Sequence, residues 1–144
     1  MLDPPSHDQV VSSLVRWGEE RAAVRAIILT STRANPRAHV DPFSDYDVIV
    51  AVTDVRPFYE KRTWLDNFGP VLAVYRDPMR TLEGGERFAY ITQYENGLKI
   101  DFTLCSASTL SHLAHGTALP DYLDVGYAVL MDKDDLTRGL APAT

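Results

Sequence analysis

The sequence predicts one mixed α/β domain, of the α+β kind, in which helices pack against a mixed sheet of about five strands. The chain has 144 residues, a usual length for one domain, and its 45% apolar and 24% charged residues are ordinary for a globular protein. Short apolar runs alternate with amphipathic helical segments, and an Asn-Gly turn signal connects two of these runs as a hairpin. This interleaving is typical of a sheet that is covered by helices.

The first half of the chain is predicted to form a helix, a strand, a long loop and a second strand. Apolar residues recur at helical spacing over 7–24, and the branched run at 25–30 (RAIILT) predicts a buried strand. Residues 45–53 (DYDVIVAVT) give the strongest strand signal. Between these strands, residues 31–44 contain two prolines and several Ser, Thr and Asp residues, which indicates a loop long enough to suggest a functional role.

The second half is predicted to alternate strands with short helices. Strands are expected at 71–75, 88–94, 98–105 and 126–131, and helices at 55–69 and 107–115. Residues 76–86 are predicted to be a loop, and Asn96-Gly97 are predicted to be the hairpin turn. Trp64 and Phe68, four residues apart on a predicted helix, are interpreted as core residues.

Charge and cysteine content limit the class of partner and the compartment. Fourteen basic and 20 acidic residues give a net charge of −6, so no nucleic acid is expected as a partner, and a cationic small molecule is compatible. No apolar run approaches the roughly 18 residues of a membrane helix, so no membrane partner is expected. The acidic N-terminus does not look like a signal peptide, and the lone cysteine, Cys105, is expected to be a buried, inert thiol in a reducing cytoplasm.

Asp45 and Asp47 begin the strongest predicted strand. Side chains two residues apart on a strand point to the same face, so the two carboxylates are expected to project together. Like charges at close range repel unless a cation lies between them, which makes this pair a candidate metal site. Chance alone produces such spacings in an Asp-rich chain, and the second pair, Asp132 and Asp134, is interpreted as a solvated turn.

Two further segments carry candidate residues. Asp101 lies on the predicted strand 98–105, where a carboxylate needs a partner. It either joins Asp45 and Asp47, if the strands are neighbours, or pairs with an Arg or faces water. The segment Thr30–Arg33 follows the first predicted strand, and its hydroxyls, backbone N–H groups and guanidinium could bind phosphate oxygens or form a polar surface turn.

The order of these features resembles the nucleotidyltransferase fold of the DNA polymerase β superfamily. A strand, a hydroxyl pair, a loop, an Asp-x-Asp pair on a second strand and a third Asp on a later strand follow one another, with Ser31-Thr32 where Gly-Ser is usual. Within this superfamily the chain is similar to the streptomycin (aminoglycoside 6-) adenylyltransferases. The similar stretches, within roughly 10–142, are 29–47 (LTSTRANPRAHVDPFSDYD), 64–69 (WLDNFG), 99–104 (KIDFTL) and 132–134 (DKD).

This resemblance implies an antibiotic-resistance activity, namely Mg²⁺-dependent transfer of AMP from ATP to a hydroxyl of streptomycin or a similar aminoglycoside. It implies that Asp45 and Asp47 hold Mg²⁺ and that Asp101 is either a third metal ligand or the base that receives the hydroxyl proton. Contacts to the β- and γ-phosphates are expected from Ser31, Thr32 and Arg33.

Members of this family are longer and have a C-terminal helical half that closes over the nucleotide. Residues 1–144 are therefore expected to be a single nucleotidyltransferase domain without that half, either a piece of a longer protein or a stand-alone domain. Two alternatives stay open at this point: an antitoxin-type nucleotidyltransferase that modifies a protein hydroxyl, and a non-catalytic nucleotide-binding module. An exposed apolar surface could also produce a homodimer.

Overall fold

A computed structural model describes residues 6–30, 46–82, 85–114 and 127–138 of the chain. The helices are α1 (His7–Glu20), α2 (Arg56–Glu60) and α3 (Ala107–Ala114), with a 3₁₀ helix at Thr63–Phe68. The strands are β1 (Val24–Thr30), β2 (Tyr46–Val52), β3 (Val71–Leu82), β4 (Gly85–Tyr94), β5 (Lys99–Ser106) and β6 (Tyr127–Asp132). Across these ranges, no helix is long and apolar enough to span a membrane.

The strands form one mixed sheet in the order β3-β4-β5-β2-β1-β6. Within the described part of the chain, β2 and β5 pair in parallel and the other neighbouring strands pair antiparallel. The predicted fold class is confirmed, although the sheet has six strands rather than about five. The hairpin between β4 and β5 also forms as predicted, with Gly97 at a φ of 90° in its turn.

One face of the sheet packs against α1, α2 and the 3₁₀ helix. Alternate residues of β2 and β5 point into this core, and Val48, Val50 and Phe102 are fully buried there. The ring of Trp64 lies 5.4 Å from that of Trp17 and 5.0 Å from that of Phe102. The predicted core role of Trp64 and Phe68 is confirmed. Because this face is tightly packed, it fixes which residues of β2 and β5 must point the other way.

The opposite face is only partly covered by the elements that the structure describes. Leu110 of α3 packs against a small buried cluster on this face, formed by Ala26, Ile28, Ile49, Ala51 and Cys105. Other positions on the face are exposed, among them Tyr75, Ile91 and Val129. We call this side the open face of the sheet. A partly uncovered sheet face leaves room for polar side chains that do not need core partners.

The prediction of a loop at 76–86 is wrong over most of its length. β3 continues to Leu82 and pairs with β4 from Val71↔Tyr94 to Leu82↔Gly85. The composition misleads because β3 is an edge strand, which tolerates polar residues and proline. Pro78 falls in the irregular register between Asp77 and Arg80, where a missing N–H disturbs no ladder hydrogen bond.

Candidate functional site

The parallel pairing of β2 with β5 places two carboxylates side by side. Asp47 and Asp101 are direct register partners, and both are partly buried. Neighbouring strands lie about 4.8 Å apart, so paired residues on them present their side chains to the same face at short range. The sequence alone left open whether the strand of Asp101 neighbours that of Asp47, and the topology shows that it does.

The core on the opposite face is what orients these carboxylates. Val48 and Phe102 follow the two aspartates directly and are buried in the main core. Since side chains alternate along a strand, burial of these neighbours turns Asp47 and Asp101 toward the open face. A register slip of one residue would bury both charges, at a cost of several kcal/mol per ion. The apolar residues that follow the two aspartates therefore determine the face of the sheet to which both carboxylates point.

Thr30 extends the same row to a third strand. It ends β1, pairs with Asp47 in the antiparallel ladder, and its hydroxyl donates to the backbone carbonyl of Asp47 at 3.2 Å. Thr30 is itself buried. The chain therefore leaves β1 directly beside Asp47, which is where the hydroxyl-bearing segment that follows begins.

The donor chemistry of this pair fits a hard divalent cation. Carboxylate oxygens are the ligands that Mg²⁺ prefers, and it is commonly held by one or two carboxylates together with substrate phosphates. Among residues 6–30, 46–82, 85–114 and 127–138, no group of three or more His, Cys, Asp or Glu side chains converges as a metal site. The two adjacent carboxylates are thus the part of the predicted cluster that the structure describes.

The other predicted site residues lie outside the described residues. These are Asp45, Ser31, Thr32 and Arg33, all within 31–45. Their assignment to metal and phosphate stays a prediction.

The second Asp-x-Asp pair, Asp132 and Asp134, has a structural role. The sequence predicted a solvated turn here but did not predict the hydrogen bonds that these side chains form. The carboxylate of Asp132 accepts hydrogen bonds from the backbone N–H groups of Asp134, Leu136 and Thr137 and from the Thr137 hydroxyl, at 2.7–3.3 Å. Partial burial would raise the pKa of Asp132, but these hydrogen bonds outweigh it and hold the pKa below its ordinary value. Asp132 therefore organises the turn after β6.

Asp134 forms a bidentate ion pair with Arg25 at the start of β1. Both contacts, to Nε and to one terminal guanidinium nitrogen, are 2.7 Å long. The hydrogen bond from Arg25 is the main reason that the pKa of Asp134 lies below its usual range. Between the two aspartates, Lys133 Nζ donates to the carbonyls of Gly18 and Arg21 at the end of α1. No sequence signal pointed to these partners, which are more than a hundred residues away.

Cys105 and a groove beside β3 can both be separated from the carboxylate pair. The Cys105 thiol is buried as predicted, and this burial raises its pKa to about 12, which agrees with an inert thiol. A groove of about 520 Å³ lies between the 3₁₀ helix and β3 and is lined by residues such as Arg62 and Asp66. Neither Asp47 nor Asp101 lines it.

Comparison with known proteins gives a consistent set of similarities. The family model described as streptomycin adenylyltransferase matches residues 5–144. The chain is 26% identical to the aminoglycoside 6-adenylyltransferase of Staphylococcus aureus over 138 residues, covering 93% of this chain and 47% of the relative. It is 37% identical to that of Bacillus subtilis (strain 168) over 84 residues, covering 56% of this chain and 30% of the relative.

A solved structure shows a similar fold. The crystal structure of an aminoglycoside 6-adenyltransferase from Bacillus subtilis matches with a TM-score of 0.58 and 25% identity, over 76% of this chain and 39% of that chain. The chain spans less than half the length of the curated relatives it matches. These similarities confirm the resemblance that the sequence motifs indicated.

Proposed function

We propose that this chain, which belongs to the streptomycin adenylyltransferase family, is a nucleotidyltransferase domain that transfers AMP from ATP to a hydroxyl of an aminoglycoside such as streptomycin. The observation that carries the proposal is the register pairing of Asp47 with Asp101 on the open face. The relatives are named aminoglycoside 6-adenylyltransferases, which favours an aminoglycoside acceptor over a protein hydroxyl. Retention of Asp45, Asp47 and Asp101 speaks against the other alternative, a non-catalytic nucleotide-binding module.

In this proposal Asp47 is a ligand of Mg²⁺, together with Asp45 two residues before it. The oxygen donors fit that ion, as argued above. When bound, Mg²⁺ offsets the negative charge of the triphosphate and lowers the barrier for attack at the α-phosphorus. Asp47 is suited to this role because its strand is anchored by ladders on both sides, to β1 and to β5. Its backbone is therefore positioned before any ligand binds.

The triphosphate is proposed to lie toward β1. Ser31, Thr32 and Arg33 follow Thr30, whose place beside Asp47 is set by a ladder pair and a hydroxyl hydrogen bond. Hydroxyls and backbone N–H groups at such a strand end, together with a guanidinium, suit contacts to the β- and γ-phosphates. We propose these three residues as the nucleotide-binding group.

Asp101 lies on the side of Asp47 away from β1 and has two candidate roles. As a metal ligand, it would share the ion with Asp47. As a base, it would accept the proton of the attacking hydroxyl. Both roles agree with its position as the register partner of Asp47. They differ in whether Asp101 contributes to nucleotide binding, so they can be separated by experiment.

The experiment that tests the proposal is calorimetric titration of ATP with and without Mg²⁺. We expect Mg²⁺ to strengthen ATP binding by about tenfold or more, because an ion held by Asp47 and Asp45 would offset the negative charge of the phosphates. Equal affinity in the presence of EDTA would contradict the metal site. Asp101→Asn assigns the second role: weakened Mg²⁺-dependent binding identifies a ligand, whereas intact binding with lost transfer identifies a base.

The acceptor class is tested with α-labelled ATP. We expect the label to appear on streptomycin when protein, Mg²⁺ and antibiotic are combined. Label on a protein instead would favour the antitoxin-type alternative. That residues 1–144 are a single nucleotidyltransferase domain, that the compartment is a reducing cytoplasm and that a homodimer forms all stay predictions.

A further inference from the structure

A row of side chains crosses the open face at the level of the two carboxylates. Ile91 on β4 is the register partner of Asp101, and Tyr75 on β3 is the register partner of Ile91. Direct partners on neighbouring strands point to the same face. Across the sheet, the row consists of Tyr75, Ile91, Asp101, Asp47, Thr30 and Tyr127.

The two residues beyond Asp101 are large, apolar and exposed. Tyr75 is 61% exposed and Ile91 47% exposed, whereas Tyr90, which points to the opposite face, is buried. Large apolar side chains gathered at the rim of a polar site usually mark a surface that a ligand covers. With strands about 4.8 Å apart, Ile91 is one strand from Asp101 and Tyr75 is two. This patch is therefore within reach of a ring bonded to a reacting hydroxyl.

The proposed reaction indicates which ligand approaches from this side. In phosphoryl transfer the attacking and leaving oxygens lie roughly in line on opposite sides of the phosphorus. The pyrophosphate leaves toward β1 if Ser31, Thr32 and Arg33 hold the β- and γ-phosphates. The acceptor hydroxyl then arrives from the other side, over β5, β4 and β3. That path passes Asp101 first and then Ile91 and Tyr75.

The chemistry of the patch matches an aminoglycoside. Apolar ring faces of a sugar pack on aromatic and aliphatic side chains, and a cationic substituent is attracted to the face of a tyrosine ring. Asp77 lies two residues from Tyr75 on the same strand, and its carboxylate is 3.9 Å from Arg80. This pair has no net charge, so it adds little to the local potential. The attraction for a polycation comes instead from the net charge of −6 of the chain.

We infer that Tyr75 and Ile91 form the surface on which the aminoglycoside acceptor packs, so that its reacting hydroxyl faces Asp101. This inference rests on the proposed adenylyl transfer. Tyr75 and Ile91 are positioning residues, which act on acceptor affinity and leave nucleotide binding unchanged. Val129 provides a matched comparison, because it is similarly exposed on the same face, at 42%, but lies on β6 at the far side of the site.

The first test observes Ile91 directly by methyl NMR. The chain has five isoleucines, and Ile91 is exposed while Ile27, Ile28, Ile49 and Ile100 are buried. Streptomycin is titrated into δ1-labelled protein with Mg²⁺ and a non-hydrolysable ATP analogue. We expect the Ile91 methyl signal to shift in a saturable way. Streptomycin binding without a shift at Ile91 would overturn the inference and leave the proposed function intact.

The second test separates acceptor affinity from nucleotide affinity. In the full protein, Tyr75→Ser and Ile91→Ser should each raise KM for streptomycin by about tenfold while the Kd for Mg²⁺-ATP stays within about twofold. Val129→Ser should change neither value. An altered sedimentation profile with unchanged KM would show that a second copy covers this patch, and the inference would fail. Absence of Mg²⁺-dependent ATP binding in the wild type would instead contradict the proposed function, and the inference would fail with it.

Discussion

The two Asp-x-Asp pairs of this chain share a spacing, but the aspartates that the structure describes, Asp47 in one pair and Asp132 and Asp134 in the other, lie in different surroundings. At the end of β6, Asp132 accepts four hydrogen bonds within its own turn, and Asp134 is paired with Arg25. At the start of β2, Asp47 has a second carboxylate, Asp101, as its register partner. The carboxylates of the first pair stabilise the fold. The carboxylate of the second is presented beside another negative charge on the open face.

This difference shows that a short acidic spacing acquires its role from its neighbours in space. Hydrogen-bond donors supplied by the protein neutralise the anionic oxygens of the β6 pair, which leaves little reason for a ligand to bind there. Two carboxylates held side by side repel each other and gain from a divalent cation. Substitutions in the pair on β2 should therefore lower activity, whereas substitutions in the pair at the end of β6 should lower stability.

The largest expected effect is on catalysis. Asp47→Asn should reduce AMP transfer roughly a thousandfold, because a metal ligand contributes several kcal/mol to stabilising the transition-state charge. Asp134→Asn, the matched control, should leave the rate within about twofold, since an exposed ion pair distant from the site does not touch the substrate. Both rates are measured with labelled ATP and streptomycin in the full protein. Equal losses in the two variants would remove the distinction between the pairs.

The next effect is on stability and its dependence on pH. Asp132→Asn should lower the free energy of unfolding at pH 7 by about 1 kcal/mol, because the turn loses charge-assisted hydrogen bonds. The pKa of Asp132 is lower in the folded protein than in the unfolded chain, so its contribution is present above about pH 4 and is lost as pH falls further.

Urea titrations of wild type and variant between pH 3 and pH 7 measure this contribution. The two unfolding curves should converge toward the acidic end of that range. Glu19→Gln on the exposed side of α1 serves as a control for the loss of one charge. A stability difference that stays constant across the range would show that the carboxylate charge of Asp132 is irrelevant to the turn.

The smallest expected effect is a gain in stability on removing the buried hydroxyl of Thr92. The Thr92 hydroxyl on β4 is buried and finds no hydrogen-bond partner among the residues that the structure describes. Thr92→Val should therefore raise the free energy of unfolding by up to about 1 kcal/mol, since an unsatisfied hydroxyl is replaced by a methyl group of similar size. A fall in the thermal midpoint would mean that the hydroxyl has a partner after all.

What the sequence could predict follows from local pattern. Alternating apolar residues after Asp47 and around Asp101 were enough to assign strands and faces, and Asn96-Gly97 was enough to assign the hairpin. The partner of Asp134 could not be predicted, because Arg25 is far away in the chain and ion pairs have no periodic signature. The long β3 was missed for a related reason, since edge strands carry polar residues and Pro78 looks like a loop residue.

The parallel pairing of β2 and β5 has a kinetic consequence. Asp47 and Asp101 are more than 50 positions apart in the chain, whereas the β3–β4 and β4–β5 hairpins join neighbouring strands. Because closing a distant contact costs more chain entropy than forming a hairpin, we expect β5 to join β2 after these hairpins have formed. We therefore expect nucleotide-binding competence to appear late in refolding, when β2 and β5 are paired.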